Sequence, residues 1–110
     1  MKDKDRLILK KIAGYIEDAD SYVSNLNYDA FLKDSKTMSA TAFVLGQIGE
    51  LSARISPETE ASYPQIDWKG MRGMRNKIVH GYENVDLTIL WDTLKNDLPD
   101  LLKQIKTILV

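Results

Sequence analysis

Apolar residues recur at three- and four-residue steps along nearly the whole chain, the spacing of one face of a helix. Ile8, Ile12, Tyr15, Ile16, Ala19, Tyr22, Val23 and Leu26 predict a first long helix, closed by a turn at 25–29. From Tyr28 or Ala30 to Ile55 two apolar stripes run together. Met38, Ala42, Leu45, Gly49 and Ser52 form one, and Val44, Ile48, Leu51 and Ile55 the other. A helix apolar on two sides is central, covered by neighbours in its own bundle or across a subunit seam. Gly46 and Gly49 each cost this helix roughly 1 kcal/mol in propensity, so their small size predicts close helix approach. Ser56-Pro57-Glu58 opens a short helix that Tyr63-Pro64 ends. Asp67 then caps a helix ending near His80, with Gly81 as its stop. Asp86 caps the last element, striped by Leu87, Leu90, Trp91, Leu94, Leu98, Leu101, Leu102, Ile105 and Ile108. Pro99 interrupts that stripe and predicts a kink near 96–98. No strand alternation, repeat or linker breaks the pattern. The expectation is an all-α, up-down bundle of four to five helices, one domain over residues 1–110.

Composition narrows the function classes. Fifteen basic residues face sixteen acidic ones, a formal net charge of −1, so there is no overall nucleic-acid footprint. With no cysteine and one histidine, disulfide and thiol chemistry are out, and an ordinary zinc site lacks its ligands. No metal and no cofactor are expected. The charged N-terminus has no signal-peptide core and no apolar run reaches membrane-spanning length, which predicts a cytoplasmic protein without a membrane partner.

The charge is uneven, however. Residues 68–82 hold Lys69, Arg72, Arg75 and Lys77 with no acid, and His80 is the only histidine. Such a patch on an acidic body concentrates phosphate locally, which makes Lys69, Arg72 and Lys77 candidate phosphate contacts. At about 100° per residue, Met71, Met74, Ile78 and Val79 form an apolar arc, and Arg72, Asn76, Lys77 and His80 face away from it. Arg75 points inside the arc. A buried guanidinium needs a partner, so either Arg75 pairs structurally or the arc ends at a cleft or subunit seam open to an anion. Glu50, in G-Q-I-G-E, is a candidate anchor for Arg75 or Arg72 across the bundle, or else a surface group. Asp3, Asp5, Asp18 and Asp20 share no helix face pairwise and read as solvated surface. Trp91 belongs to the core stripe, whereas Trp68 beside the basic segment is ambiguous between core and base stacking.

Arginine, histidine and asparagine without metal ligands are the parts of a metal-free phosphoryl-transfer site. Histidine moves a proton near neutral pH, and arginine steadies a pentacoordinate phosphate. Residues five apart on a helix differ by about 140°, so Arg75 and His80 diverge on a regular helix. Loss of helix at Gly81, or a second copy in a homodimer, resolves this.

R-N-K-I-V-H, from Arg75 to His80, resembles the R-x-x-x-x-H signature of HEPN domains. The flanking text narrows the resemblance to the HepT-like branch: I-G-E at 48–50, Tyr63 to Asn76, H-G-Y at 80–82, the acid-capped last helix and D-L-P at 97–99. The motif alone is weak; the ordered set, including a tyrosine two residues after the histidine, is much more specific. The resemblance implies an all-α homodimeric toxin that cleaves RNA without metal where two motif copies meet. Arg75 and His80 would be catalytic, with Asn76 supporting them. It also implies a minimal nucleotidyltransferase antitoxin as partner, which adds AMP at Tyr82. The alternative is a non-catalytic subunit that binds nucleotide or presents a surface to that nucleotidyltransferase.

Overall fold

The computed structural model describes residues 1–77 and 86–110. The fold is all-α, as expected. Helix α1 spans Asp3–Val23, α2 Tyr28–Leu32, α3 Ser35–Ser52, α4 Pro57–Ser62 and α5 Trp68–Gly73. A 3-10 turn, Met74–Lys77, continues α5. Helix α6, Leu87–Asp92, runs through a π-helical turn, Thr93–Asp97, into α7, Leu98–Leu109. Among the described residues, no helix is long and apolar enough to cross a membrane.

Three long rods make the frame. α1 lies between α3 and α7, and α3 carries α5 and its 3-10 turn on another side. Both stripes of α3 are therefore used: Ala42, Leu45, Gly49 and Ser52 are buried, and so are Val44, Ile48 and Leu51. Leu9, Ile12 and Ile16 of α1 meet Leu45, Ile48, Met71, Leu94, Leu98 and Ile105 in one continuous core. Removing such apolar surface from water is the main stabilising contribution, about 25 cal/mol per Å².

The local signals act where the sequence places them. Asp67 Oδ1 accepts the Gly70 N–H at 2.9 Å, and Asp86 Oδ1 accepts the Thr88 N–H at 2.9 Å. The Pro99 interruption takes the form of a π-helical turn. A proline lacks the N–H an interior helix position needs and crowds the carbonyl four residues before it. A wider turn relieves both, and Pro99 falls in the first turn of the new helix, where its missing donor costs nothing.

The structure corrects three expectations. The segment from Tyr28 to Ile55 is not one helix, because Asp34 breaks it. The Asp34 carboxylate accepts the Thr37 N–H at 3.0 Å and the Thr37 hydroxyl at 2.7 Å, starting α3 afresh after the short α2. The helix expected to continue to the region of His80 is regular only to Gly73 and tightens from Met74. The third correction concerns Asp5, which is fully buried rather than solvated. Asp5 lies on the same stripe as Ile8, Leu9, Ile12 and Ile16, and its carboxylate reaches the start of α4. It accepts the Ser56 N–H at 3.2 Å, the Ser56 hydroxyl at 2.5 Å and the Thr59 hydroxyl at 2.6 Å. The expected cap Ser56 thus begins α4 without a capping bond of its own, and donates to Asp5 instead. Burial works to raise the Asp5 pKa, but the hydroxyl bonds from Ser56 and Thr59 and the Ser56 N–H outweigh it. The net displacement is below the ordinary carboxylate value.

Trp68 is also settled. It is buried, and its indole N–H donates to the Tyr63 carbonyl at 3.0 Å, so it is a structural pin and not a platform for bases. Trp91 is half-buried, with Phe31 at 5.0 Å and Tyr28 at 6.1 Å between ring centroids and the Lys95 ammonium 5.1 Å from the centre of its ring.

Candidate active site around Arg75

The basic segment is seated by one glycine. A methyl group built at Gly49 would lie 2.8 Å from both the Cβ and the backbone nitrogen of Arg75, and 3.2 Å from the Arg72 carbonyl oxygen. Atoms do not approach that closely, so only glycine lets α3 meet the turn after α5 here. This is the close approach expected of Gly49. It also explains why Arg75 reads as apolar-facing on a helical wheel. The root of the side chain does face α3. Its long stem then carries the guanidinium outwards, as amphipathic side chains do beside a core, and the side chain is 61% exposed. Of the two expectations for Arg75, pairing or an opening to an anion, the structure shows an exposed guanidinium with a carboxylate nearby.

Both arginines of the segment meet a carboxylate from a neighbouring helix. Arg75 Nη1 lies 3.9 Å from Glu50 Oε1, between side chains that are 61% and 49% exposed. Arg72 forms a closer ion pair and hydrogen bond with Glu60 of α4. Glu50 is thus a surface group that faces Arg75, not Arg72. Lys69 and Asn76 are exposed on the same segment. The structure brings Lys69, Arg72, Arg75 and Asn76 onto ten consecutive residues, 67–76, that begin at the Asp67 cap. The expectations for His80, Gly81, Tyr82, Ile78 and Val79, and for the Lys77 side chain, lie outside the described residues.

On the Met71–Met74 side of α5 there is a cleft of about 230 Å³, lined by Asp67, Met71, Met74, Asp97, Asp100 and Leu101 among others. Three carboxylates make it unsuited to phosphate. Among the described residues, no group of three or more histidine, cysteine, aspartate or glutamate side chains could hold a metal ion. The exposed arginine side of the segment, where Arg72 and Arg75 stand, is the candidate surface for an anion.

The model of the ribonuclease HepT-like family matches residues 12–108. The chain belongs to that family. Among its relatives is a "probable ribonuclease HepT" of Thermococcus cleftensis, 37% identical over 92% of this chain and 92% of the relative. A "putative RNase" of Methanocaldococcus jannaschii is 34% identical over 99% of this chain and 91% of the relative. Another protein with that description, from Caldanaerobacter subterraneus subsp. tengcongensis, is 33% identical over 79% and 78%. No solved structure matches the chain.

Sequence reasoning missed two contributors to this region. Glu60 holds Arg72, and Asp5 holds the start of the helix that carries Glu60. Neither is adjacent in sequence to what it holds. The one available signal was an aspartate lying on the apolar stripe of α1.

Proposed function

We propose that this HepT-like chain is a metal-independent endoribonuclease, the toxin of a toxin–antitoxin pair, working as a homodimer. The observation that carries the reading is Arg75, whose backbone is locked against Gly49 while its guanidinium stands at the surface. It opens the family's R-x-x-x-x-H motif on a stretch rich in cations. Family membership supports ribonuclease chemistry, and the relatives named above carry ribonuclease names.

The reaction is attack of a ribose 2′-hydroxyl, which only RNA offers, on the adjacent phosphorus. His80 takes the 2′ proton. The new P–O bond gives a phosphorane, which Arg75 steadies by charge-assisted hydrogen bonds. The bond to the 5′ oxygen then breaks, and a proton passes to that oxygen from His80 of the partner subunit. The products are a 2′,3′-cyclic phosphate and a 5′-hydroxyl. A two-fold seam supplies both histidines, and it would bring them to Arg75 even where a regular helix turns Arg75 and His80 apart. Asn76 orients the phosphate, and Lys69, Arg72 and Lys77 add charge around it. Phe43, 58% exposed on α3 about two turns before Glu50 on the same face, is the apolar group on which such a seam would close. Cleavage of RNA should persist in excess EDTA, from a species of twice the 12.5 kDa chain mass in light scattering. Activity abolished by EDTA, or a monomer at micromolar concentration, overturns the corresponding part.

The partner is a minimal nucleotidyltransferase antitoxin that adds AMP to Tyr82, two residues from His80. The modification places a bulky anion beside the cations that RNA phosphate requires. After co-expression with such a nucleotidyltransferase, the intact mass should rise by an amount corresponding to AMP. The increment should vanish in Tyr82→Phe, which should also escape neutralisation. Inhibition that survives unchanged in Tyr82→Phe would leave tight antitoxin binding as the mechanism.

One observation favours a second reading, a non-catalytic partner-binding subunit. The two arginines described are each faced by a glutamate, which lowers the charge offered to RNA in a chain whose net charge is already −1. That reading tolerates a neutral isostere at His80, and the nuclease does not.

A further inference from the structure

We infer that Glu50 is a positioning residue for Arg75, with Gly49 and Glu50 together forming a seat on α3 that aims the guanidinium before RNA arrives. The inference rests on the ribonuclease reading and adds a residue to it.

Two independent contacts meet at this step of α3. Gly49 admits the backbone of Arg75 to a distance that any side chain would forbid, fixing where the arginine starts. Glu50, the next residue, places its carboxylate 3.9 Å from the guanidinium, a loose ion pair that biases where the arginine ends. An arginine fixed at its root and biased at its tip favours some of its many rotamers over others. A carboxylate beside a phosphate site also carries a cost, because it repels the incoming anion. Such a group makes sense next to Arg75 if the order it imposes outweighs the repulsion. The exposure of both partners keeps the tether weak. A bidentate phosphate displaces it, leaving Arg75 aimed and no longer neutralised. The tighter pair between Arg72 and Glu60 has a different role, because it ties α5 to α4.

The weak tether predicts effects of modest size. In Glu50→Gln and Glu50→Ala, single-turnover cleavage should slow about three- to fivefold, the range an exposed pair supports. Apparent RNA affinity should hold or tighten, since a competing carboxylate has gone. A purely structural role would instead lower stability and weaken both quantities together. Thermal unfolding should barely move. The direct readout is 15N relaxation at Arg75 Nε in the protein without RNA, assigned by its loss in Arg75→Lys. The signal should become more mobile in Glu50→Ala and in Glu50→Gln. An Arg75 Nε equally ordered in parent and Glu50→Ala overturns the inference. So does a rate loss of the same size when Glu50→Ala is placed in the Arg75→Lys background, since the effect would then not act through Arg75. A parent protein that cuts no RNA defeats the ribonuclease reading separately, because the Arg75 signal reports on the tether without any cleavage.

Discussion

Replacing His80 by alanine should reduce RNA cleavage on the order of 100-fold or more, the usual loss when a proton-transferring side chain is removed. Arg75→Ala should fall by a similar factor, because the charge that builds on the phosphorane loses its bidentate donor. The two variants should differ in how they fail. His80→Ala should bind RNA nearly as the parent does, since the cations of the segment remain. Arg75→Ala should also bind less tightly, with a shallower salt dependence, because one phosphate contact is gone. His80→Gln separates the two function classes. A partner-binding subunit keeps its complex with the nucleotidyltransferase and loses nothing, whereas the nuclease keeps the complex and loses cleavage. Single-turnover rates at saturating protein measure this without interference from product release.

Asp5→Ala should be the most destabilising single polar change among the described residues, by about 2–4 kcal/mol. The substitution removes three hydrogen bonds to a charged acceptor and leaves the Ser56 and Thr59 hydroxyls buried without it. In a domain of this size that lowers the melting temperature by roughly 10 °C or more. The start of α4 loosens with it, and α4 carries Glu60 and so the Arg72 anchor. Acid should act through the same group. The folded pKa of Asp5 lies below its ordinary value of 3.8. Between those two values the unfolded chain binds more protons, so stability rises with pH there. The contribution is complete above the unfolded pKa and is lost as pH falls through the folded one. Asp34 is lowered too, by the Thr37 hydroxyl and N–H, and Glu58 by its own N–H and Lys2, so several carboxylates share the parent's acid sensitivity. The difference between parent and Asp5→Asn in urea unfolding at pH 7 and pH 3 isolates one of them. The gap should narrow at the lower pH. A constant gap would mean that Asp5 contributes by shape alone.

The helical class, the caps at Asp67 and Asp86 and the break before Pro99 were all legible because each depends on residues within a turn of one another. Periodicity likewise located the two covered faces of α3. What the wheel could not supply was depth. Arg75 was correctly aimed at the core side, but direction at Cβ does not say where a side chain seven atoms long will finish. Gly49 decides that, and it lies 26 positions earlier in the sequence. Asp34 carried a local signal, D-S-K-T, that two overlapping apolar stripes concealed. Asp5 reads as surface in the sequence because it shares no helix face with Asp3 and so makes no local carboxylate pair. Its donors come from Ser56 and Thr59, more than fifty residues away. Local rules say nothing about such pairs. The motif Arg75 to His80 was visible as chemistry only because cations without acids, a lone histidine and a following tyrosine occur together in order.

The identity of the RNA ends tests the central claim most directly. The purified protein should be incubated with a defined RNA in excess EDTA and the fragments weighed by mass spectrometry, with His80→Ala in parallel. The account predicts 2′,3′-cyclic phosphate and 5′-hydroxyl termini from the parent and essentially none from the variant. Fragments ending in a 3′-hydroxyl and 5′-phosphate, or cyclic phosphate ends produced equally by His80→Ala, would contradict it.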